Sequence, residues 1–106
     1  MESNVFKWSK KFTRHANFRI LQYKDAIYRG HVDPETNLRE GKGAMVYDSG
    51  RVYEGEFIND VREGHGYEKY DNRNVYIGYF KRGKAHGKGL YTWANGEYYE
   101  GEWNMG

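Results

Sequence analysis

Gly83-Lys-Ala-His-Gly87-Lys-Gly89-Leu-Tyr-Thr-Trp93-Ala-Asn-Gly96-Glu-Tyr-Tyr99-Glu-Gly101-Glu-Trp103 is the stretch that decides how this chain folds. Gly87, Gly89, Tyr91 and Trp93 stand at every second position, as do Tyr99, Gly101 and Trp103, so each set shares one face of a β-strand. Between them Asn95-Gly96 is the strongest short-range hairpin signal in the sequence. The same pattern recurs upstream. Tyr-x-Gly occurs as Tyr28-Arg-Gly30, Tyr53-Glu-Gly55, Tyr76-Ile-Gly78 and Tyr99-Glu-Gly101, at spacings of 25, 23 and 23. Two residues after each glycine stands Val32, Phe57, Phe80 or Trp103. Gly-x-Gly follows as Gly41-Lys-Gly43, Gly64-His-Gly66 and Gly87-Lys-Gly89, then an aromatic at Tyr47, Tyr70 or Trp93, then a turn. The longer first spacing is absorbed in Val32-Asp-Pro-Glu-Thr-Asn-Leu38, which holds the sole proline.

Repetition at a fixed period of this length implies stacked supersecondary units. Eight strands are expected, at about 18–23, 26–32, 42–47, 51–58, 66–70, 75–81, 89–93 and 97–103, in a single-layer antiparallel all-β meander of tandem hairpins. At ~4.8 Å per strand such a sheet is roughly 40 Å long. Tyr53, Gly55 and Phe57 share a face with Gly64, Gly66, Glu68 and Tyr70, and in the next unit with Tyr76, Gly78 and Phe80. The opposite face carries Glu54, Glu56, Lys69, Lys81, Lys88, Glu100 and Glu102, which predicts one aromatic, glycine-rich face and one charged face. Glycine weakens a strand interior. Here its missing Cβ lets a ring lie flat on the neighbouring backbone.

Composition agrees. By mean hydropathy alone, at −1.07, the chain reads as disordered. Its aromatic content of 18%, with 11 Tyr and 3 Trp, argues otherwise. Leu and Ile are few, so burial must come from rings laid on a sheet. The 106 residues suffice for one domain, and the formal charge of +2 gives weak evidence for an anionic partner. There is no Cys, which closes disulfide and thiolate-metal readings. No apolar run approaches the ~20 residues that span a bilayer. Lys7, Lys10 and Lys11 interrupt any secretory apolar segment, so an intracellular setting is expected, with a mitochondrial presequence over residues 5 to 24 as the alternative.

Tyr53-Glu-Gly-Glu-Phe57, Gly64-His-Gly66, Gly83-Lys-Ala-His-Gly-Lys-Gly89, Ala94-Asn-Gly96 and Tyr99-Glu-Gly-Glu-Trp103 together resemble the MORN repeat family. The resemblance covers residues 28–106, divided as 28–52, 53–75, 76–98 and a partial unit 99–106. The first unit departs from the pattern at Val32 and in its loop, the second at Arg73, where the turn glycine is missing. Residues 1–27 form a basic, aromatic arm that includes a degenerate half-unit.

The residues form no catalytic constellation. Gly83-Lys-Ala-His-Gly87-Lys-Gly89 lacks the spacing and hydroxyl of a phosphate-binding loop and reads as a hairpin loop entering a strand. His15, His31, His65 and His86 show no metal-ligand spacing. Glu54 with Glu56, and Glu100 with Glu102, sit two apart on a solvated strand face, where solvation outweighs acid–base work. The reading is therefore of no enzyme, no cofactor and no metal. Nucleic acid is excluded because the charged face is mixed in sign where a stacking platform needs Lys and Arg.

The expected partner site is the aromatic face, at Tyr53, Phe57, Tyr70, Tyr76, Phe80, Trp93, Tyr99 and Trp103, shaped for a helix or an extended segment of another protein. A sheet edge at Trp103, near the last residue Gly106, is expected to invite strand pairing. Lys7, Trp8, Lys10, Lys11 and Arg14 form a docking arm for a partner or an anionic surface, and Val5, Trp8 and Phe12 suit one helical face. The same arm reads equally as a cap on the first strand. The resemblance implies a scaffold protein in a multi-subunit ciliary, axonemal or other cytoskeletal assembly, radial-spoke-like for example. The alternatives are an anionic-phospholipid-binding module and an accessory subunit of a large mitochondrial or enzyme complex.

Overall fold

A row of seven glycines crosses the sheet. Gly30, Gly43, Gly55, Gly66, Gly78, Gly89 and Gly101 stand opposite one another on seven successive strands. The computed structural model describes residues 17–104. Its strands are β1 (Phe18–Gln22), β2 (Ala26–Val32), β3 (Arg39–Tyr47), β4 (Val52–Ile58), β5 (Val61–Lys69), β6 (Val75–Lys81), β7 (Lys84–Thr92) and β8 (Tyr98–Asn104). They form one antiparallel sheet in chain order, with no helix among the described residues. The long dimension is 41 Å, as the strand count requires. The other two are 27 and 25 Å, so the single layer is strongly coiled rather than flat. It curls around the ring-bearing face, where Tyr28, Tyr53 and Tyr76 are 0% exposed.

Each of these tyrosines lies on the glycine row. A Cβ built on Gly43 would meet the Tyr28 ring at 2.2–2.4 Å, one on Gly66 would meet Tyr53 at 2.7 Å, and one on Gly89 would meet Tyr76 at 2.3–2.5 Å. The Tyr28, Tyr53 and Tyr76 hydroxyls donate to the carbonyls of His31, Glu56 and Tyr79, at 2.6, 3.0 and 2.9 Å. Those carbonyls lie where the register shifts after Gly30, Gly55 and Gly78. The shift is a bulge in the following strand, and Gly64 and Gly87 supply its left-handed residue at φ 88 and 68°. Phe57, Phe80 and Trp103 then stand edge-on between tyrosines of adjacent units. Phe57 contacts Tyr28 and Tyr53, and Phe80 contacts Tyr53 and Tyr76, at centroid distances of 5.1–5.3 Å and interplanar angles of 82–89°. Trp103 contacts Tyr76 and Tyr99 at 5.6 and 5.2 Å. Edge-to-face rings are the favoured aromatic pairing, so the ladder joins unit to unit.

Two arginines staple the units from the same face. Arg39 donates through Nε to Asp60 Oδ1 at 2.6 Å and through Nη2 to the Asp60 carbonyl at 2.8 Å, while its guanidinium lies 5.0 Å from the Phe57 ring centre. Arg62 repeats this one unit on, donating to the Gly83 carbonyl and lying 5.1 Å from Phe80. Glu40 and Glu63 accept from the backbone N–H groups of Asn59 and Arg82 in the same turns. At the third equivalent position stands Ala85, and there the larger Trp103 replaces phenylalanine and donates its indole N–H to the Gly89 carbonyl at 3.2 Å.

Three expectations change in detail. β3, β5 and β7 begin earlier than expected: β3 starts at Arg39, paired with Val32 across the Asp33–Leu38 loop, while Asn59-Asp60 and Arg82-Gly83 close two-residue turns before β5 and β7, all four residues at positive φ. Such a turn feeds directly into a strand. Residues 84–89 are accordingly strand, not a loop entering one. Asn95-Gly96 does close a hairpin, but through a longer connection in which Gly96 N–H bonds the Trp93 carbonyl and Trp93 N–H bonds the Glu97 carbonyl. The outer face is also less charged than expected. Ile27, Val46, Val52, Val75 and Thr92 share one outer row, broken by Lys69 between Val52 and Val75, and Tyr67, Ile77 and Leu90 are contiguous in the next. The helix expected around Val5, Trp8 and Phe12 lies outside the described residues.

Candidate functional site: the ring-bearing face

The rings on the inner face divide into two groups. Tyr53, Tyr76, Phe57 and Phe80 are 0–3% exposed and spend their surface on glycine, on one another and on the arginine staples. They hold the sheet, and as they stand they offer a partner little area. Tyr70, Trp93, Tyr99 and Trp103 are more accessible, with Trp93 40% and Tyr99 46% exposed. Trp93 rests against Tyr91 at 4.9 Å, Tyr91 stacks on Tyr70 at 5.9 Å with a 27° interplanar angle, and Tyr91 lies 5.6 Å from Trp103. Asn74 fixes the platform, donating to the Tyr91 hydroxyl and accepting from the Ala94 N–H, both at 3.0 Å. Lys7, Trp8, Lys10, Lys11 and Arg14 lie outside the described residues.

Beside this platform sits a charge cluster. Glu68 occupies the inner-row position that Met45 and Tyr91 hold in neighbouring units, yet it is 2% exposed. Arg51 contacts its Oε2 through Nε at 2.6 Å and Nη2 at 2.5 Å, and Arg62 Nη1 lies 2.9 Å from its Oε1. A buried carboxylate demands such partners. Arg51 in turn lies over Tyr47 at 5.2 Å and Tyr70 at 5.8 Å. Burial pushes the Tyr70 hydroxyl up to about 12, with the Glu68 charge adding to it. Burial lowers the Arg51 value, but Glu68 raises it further, so the guanidinium is held above its ordinary range.

A shallow hollow of 360 Å³ opens here, with Arg51, Arg62, Glu68, Tyr70, Phe80 and Ala85 in its wall. Lys84 also lines it and bounds a second hollow of 440 Å³ beside Lys81, Arg82 and His86. Both carboxylate oxygens of Glu68 are engaged by arginine, so it serves to hold the two guanidiniums in place. Among the described residues no three His, Cys, Asp or Glu converge as metal ligands. The arrangement can do one thing well: present fixed guanidiniums beside flat, partly exposed rings.

Sequence reasoning missed Arg51, Arg62 and Lys84, and it put Tyr91 on the ring face without choosing it for the site. Arg39 and Arg62 are spaced like the glycines, and that spacing was the available signal.

A family model described as MORN repeat matches residues 53–75, 76–98 and 99–106, half of the chain. No match was found among curated proteins. The unit of β2 and β3 lies outside the matched residues, although its Tyr28 sits on Gly30 and Gly43 as Tyr53 and Tyr76 sit on theirs.

Proposed function

This chain belongs to the MORN repeat family, and from that premise we propose that it is a non-catalytic binding protein whose ring-bearing face holds a segment of a partner protein. The observation that supports this is the surplus ring platform. The Tyr–Phe ladder already accounts for cohesion between units, and Trp93, Tyr91 and Tyr70 lie beyond it with Trp93 40% exposed. Interface energy concentrates in Trp, Tyr and Arg anchors, and all three types meet here. A helix or an extended segment lying along the coiled face would cover them.

Trp93 gives the test, because its ring touches Tyr91 and stands outside the buried ladder. Trp93→Ala should leave the melting curve close to that of the wild type and weaken capture of native partners by the tagged chain. Capture at wild-type strength would remove Trp93 from the site. The host assembly we favour is cytoskeletal, such as an axoneme. The family resemblance supports that choice, and immunolocalisation of the full chain tests it.

A further inference from the structure

The repeats let each position be compared with its equivalents, and one unit stands apart in charge. The hairpin turn between β4 and β5 reads Ile58-Asn-Asp-Val61, whereas that between β6 and β7 reads Lys81-Arg-Gly-Lys84. Lys81 and Lys84 stand directly opposite each other, as Ile58 and Val61 do one unit earlier. Like charges so placed repel, and the Arg82 side chain adds a third cation at the turn. The hollow next to this hairpin carries Arg51 and Arg62, both anchored on Glu68. One carboxylate thus holds two guanidiniums, with Lys84 at the rim, so the hollow keeps a net positive charge. Met45 and Tyr91 show that the row packs without a carboxylate at this position. Glu68 therefore does something beyond filling space: it fixes two arginines in orientation on the ring face. A guanidinium fixed in this way directs its remaining N–H donors at a ligand carboxylate in a set orientation. Ala85 stands where earlier units carry arginine, so beside Tyr70 the wall of the hollow is apolar there.

We infer that this hollow and the adjoining Lys81–Lys84 hairpin bind an acidic peptide segment, its carboxylates on Arg51, Arg62 and Lys84 and an apolar side chain against Tyr70 and Ala85. The inference rests on the ring-face reading above and names the chemistry of its partner. A protein segment fits better than a membrane or a nucleic acid. The hollow lies on the face the sheet curls around, which a flat lipid surface does not enter. Its cations are confined to one hairpin and one pocket, with Glu63 accepting from the Arg82 N–H beside them, so no basic track follows a phosphate backbone.

The probe is a fluorescently labelled peptide repeating Glu-Glu-Leu, with a Gln-Gln-Leu peptide as the uncharged control, titrated against the full chain by polarisation. Lys84→Glu changes an exposed rim residue, and Arg29→Glu makes the same charge change on the outer face. The acidic peptide should bind the wild type, bind Lys84→Glu about tenfold more weakly, and bind Arg29→Glu within about twofold of the wild type. Melting curves of both variants should match the wild type. The inference is overturned by no binding of the acidic peptide, by equal binding of the Gln peptide, by equal losses in both variants, or by tighter Lys84-dependent binding of phosphatidylserine vesicles or oligo-dT. Partner capture that is lost in Trp93→Ala and untouched by Lys84→Glu would refute this inference and leave the ring-face reading standing.

Discussion

Gly78→Ala adds one methyl inside the glycine row, between Gly66 and Gly89. Its Cβ would lie 2.6 Å from the Gly89 Cα, 2.7 Å from the Lys88 carbonyl oxygen and 2.7 Å from the Tyr76 hydroxyl. The first two are backbone atoms of the paired strand, so β6 and β7 must separate. Overpacking of this kind costs about 1–3 kcal/mol. Displacing Tyr76 also loosens its hydrogen bond to the Tyr79 carbonyl, worth about 0.5–1.5 kcal/mol. Alanine returns roughly 0.5–1 kcal/mol through its better strand propensity. The net loss is about 2–3 kcal/mol, or a melting point about 10–20 °C lower for a domain of this size. Two controls bracket it. Gly83→Ala meets nothing within 4 Å but sits at φ +81°, so only left-handed strain of about 1 kcal/mol applies. Glu100→Val changes an exposed outer residue and should stay within about 0.5 kcal/mol. Urea unfolding followed by tryptophan fluorescence ranks the three. A Gly78→Ala variant as stable as Gly83→Ala would refute the packing argument.

Arg73 occupies at φ 74° the turn position that Gly50 and Gly96 hold in neighbouring units, so Arg73→Gly should stabilise the chain by up to about 1 kcal/mol in the same urea assay. Burial raises the Asp60 carboxyl, but hydrogen bonds from Arg39 outweigh it and hold the group below its ordinary value. The stability it adds is present above the unfolded-state pKa and is lost as pH falls through the folded one, so melting points should drop in acid and Asp60→Asn should flatten that fall. Burial raises the Tyr28 and Tyr53 hydroxyls and brings Tyr70 to about 12. Their contribution is complete below pH ~10 and declines above it, so alkaline absorbance titration should show these tyrosines ionising together with unfolding. Glu68→Ala leaves Arg51 and Arg62 without their anion. Because Arg51 can turn to water, its cost should be about 2 kcal/mol, less than for a fully enclosed pair.

Much of the fold was legible because repetition multiplies weak signals. One Tyr-x-Gly says little, while four at nearly constant spacing place every strand pair and put the rings over glycine. The strand starts were harder. Arg82-Gly83 closes a two-residue turn with a non-glycine residue at φ 52°, a conformation the residue type does not advertise. The site was less legible than the fold. Tyr53 and Trp93 look alike as aromatics on one face, and only the coiling of the sheet buries the first and exposes the second. Glu68 was placed on the aromatic face by its period, but its two arginines come from residues 17 and 6 positions away, Arg51 and Arg62, which meet only once the strands pair. The apolar outer rows were hidden because their members, such as Tyr67, Ile77 and Leu90, lie on different strands and become neighbours only when those strands pair.

The central claim is that tyrosine rings lie flat on a continuous glycine row, which makes the ladder the glue and frees the Trp93 platform to bind. Proton NMR tests it without a partner. A proton under an aromatic face is shielded, so Gly43, Gly66 and Gly89 should each show one α-proton far upfield of its geminal partner. Tyr28→Leu, Tyr53→Leu and Tyr76→Leu should each abolish the shift at the glycine beneath that ring. Gly50 and Gly96, with nothing within 4 Å of a built Cβ, should show no such splitting. Ordinary, unsplit α-proton shifts at Gly43, Gly66 and Gly89 in the folded chain would contradict the account.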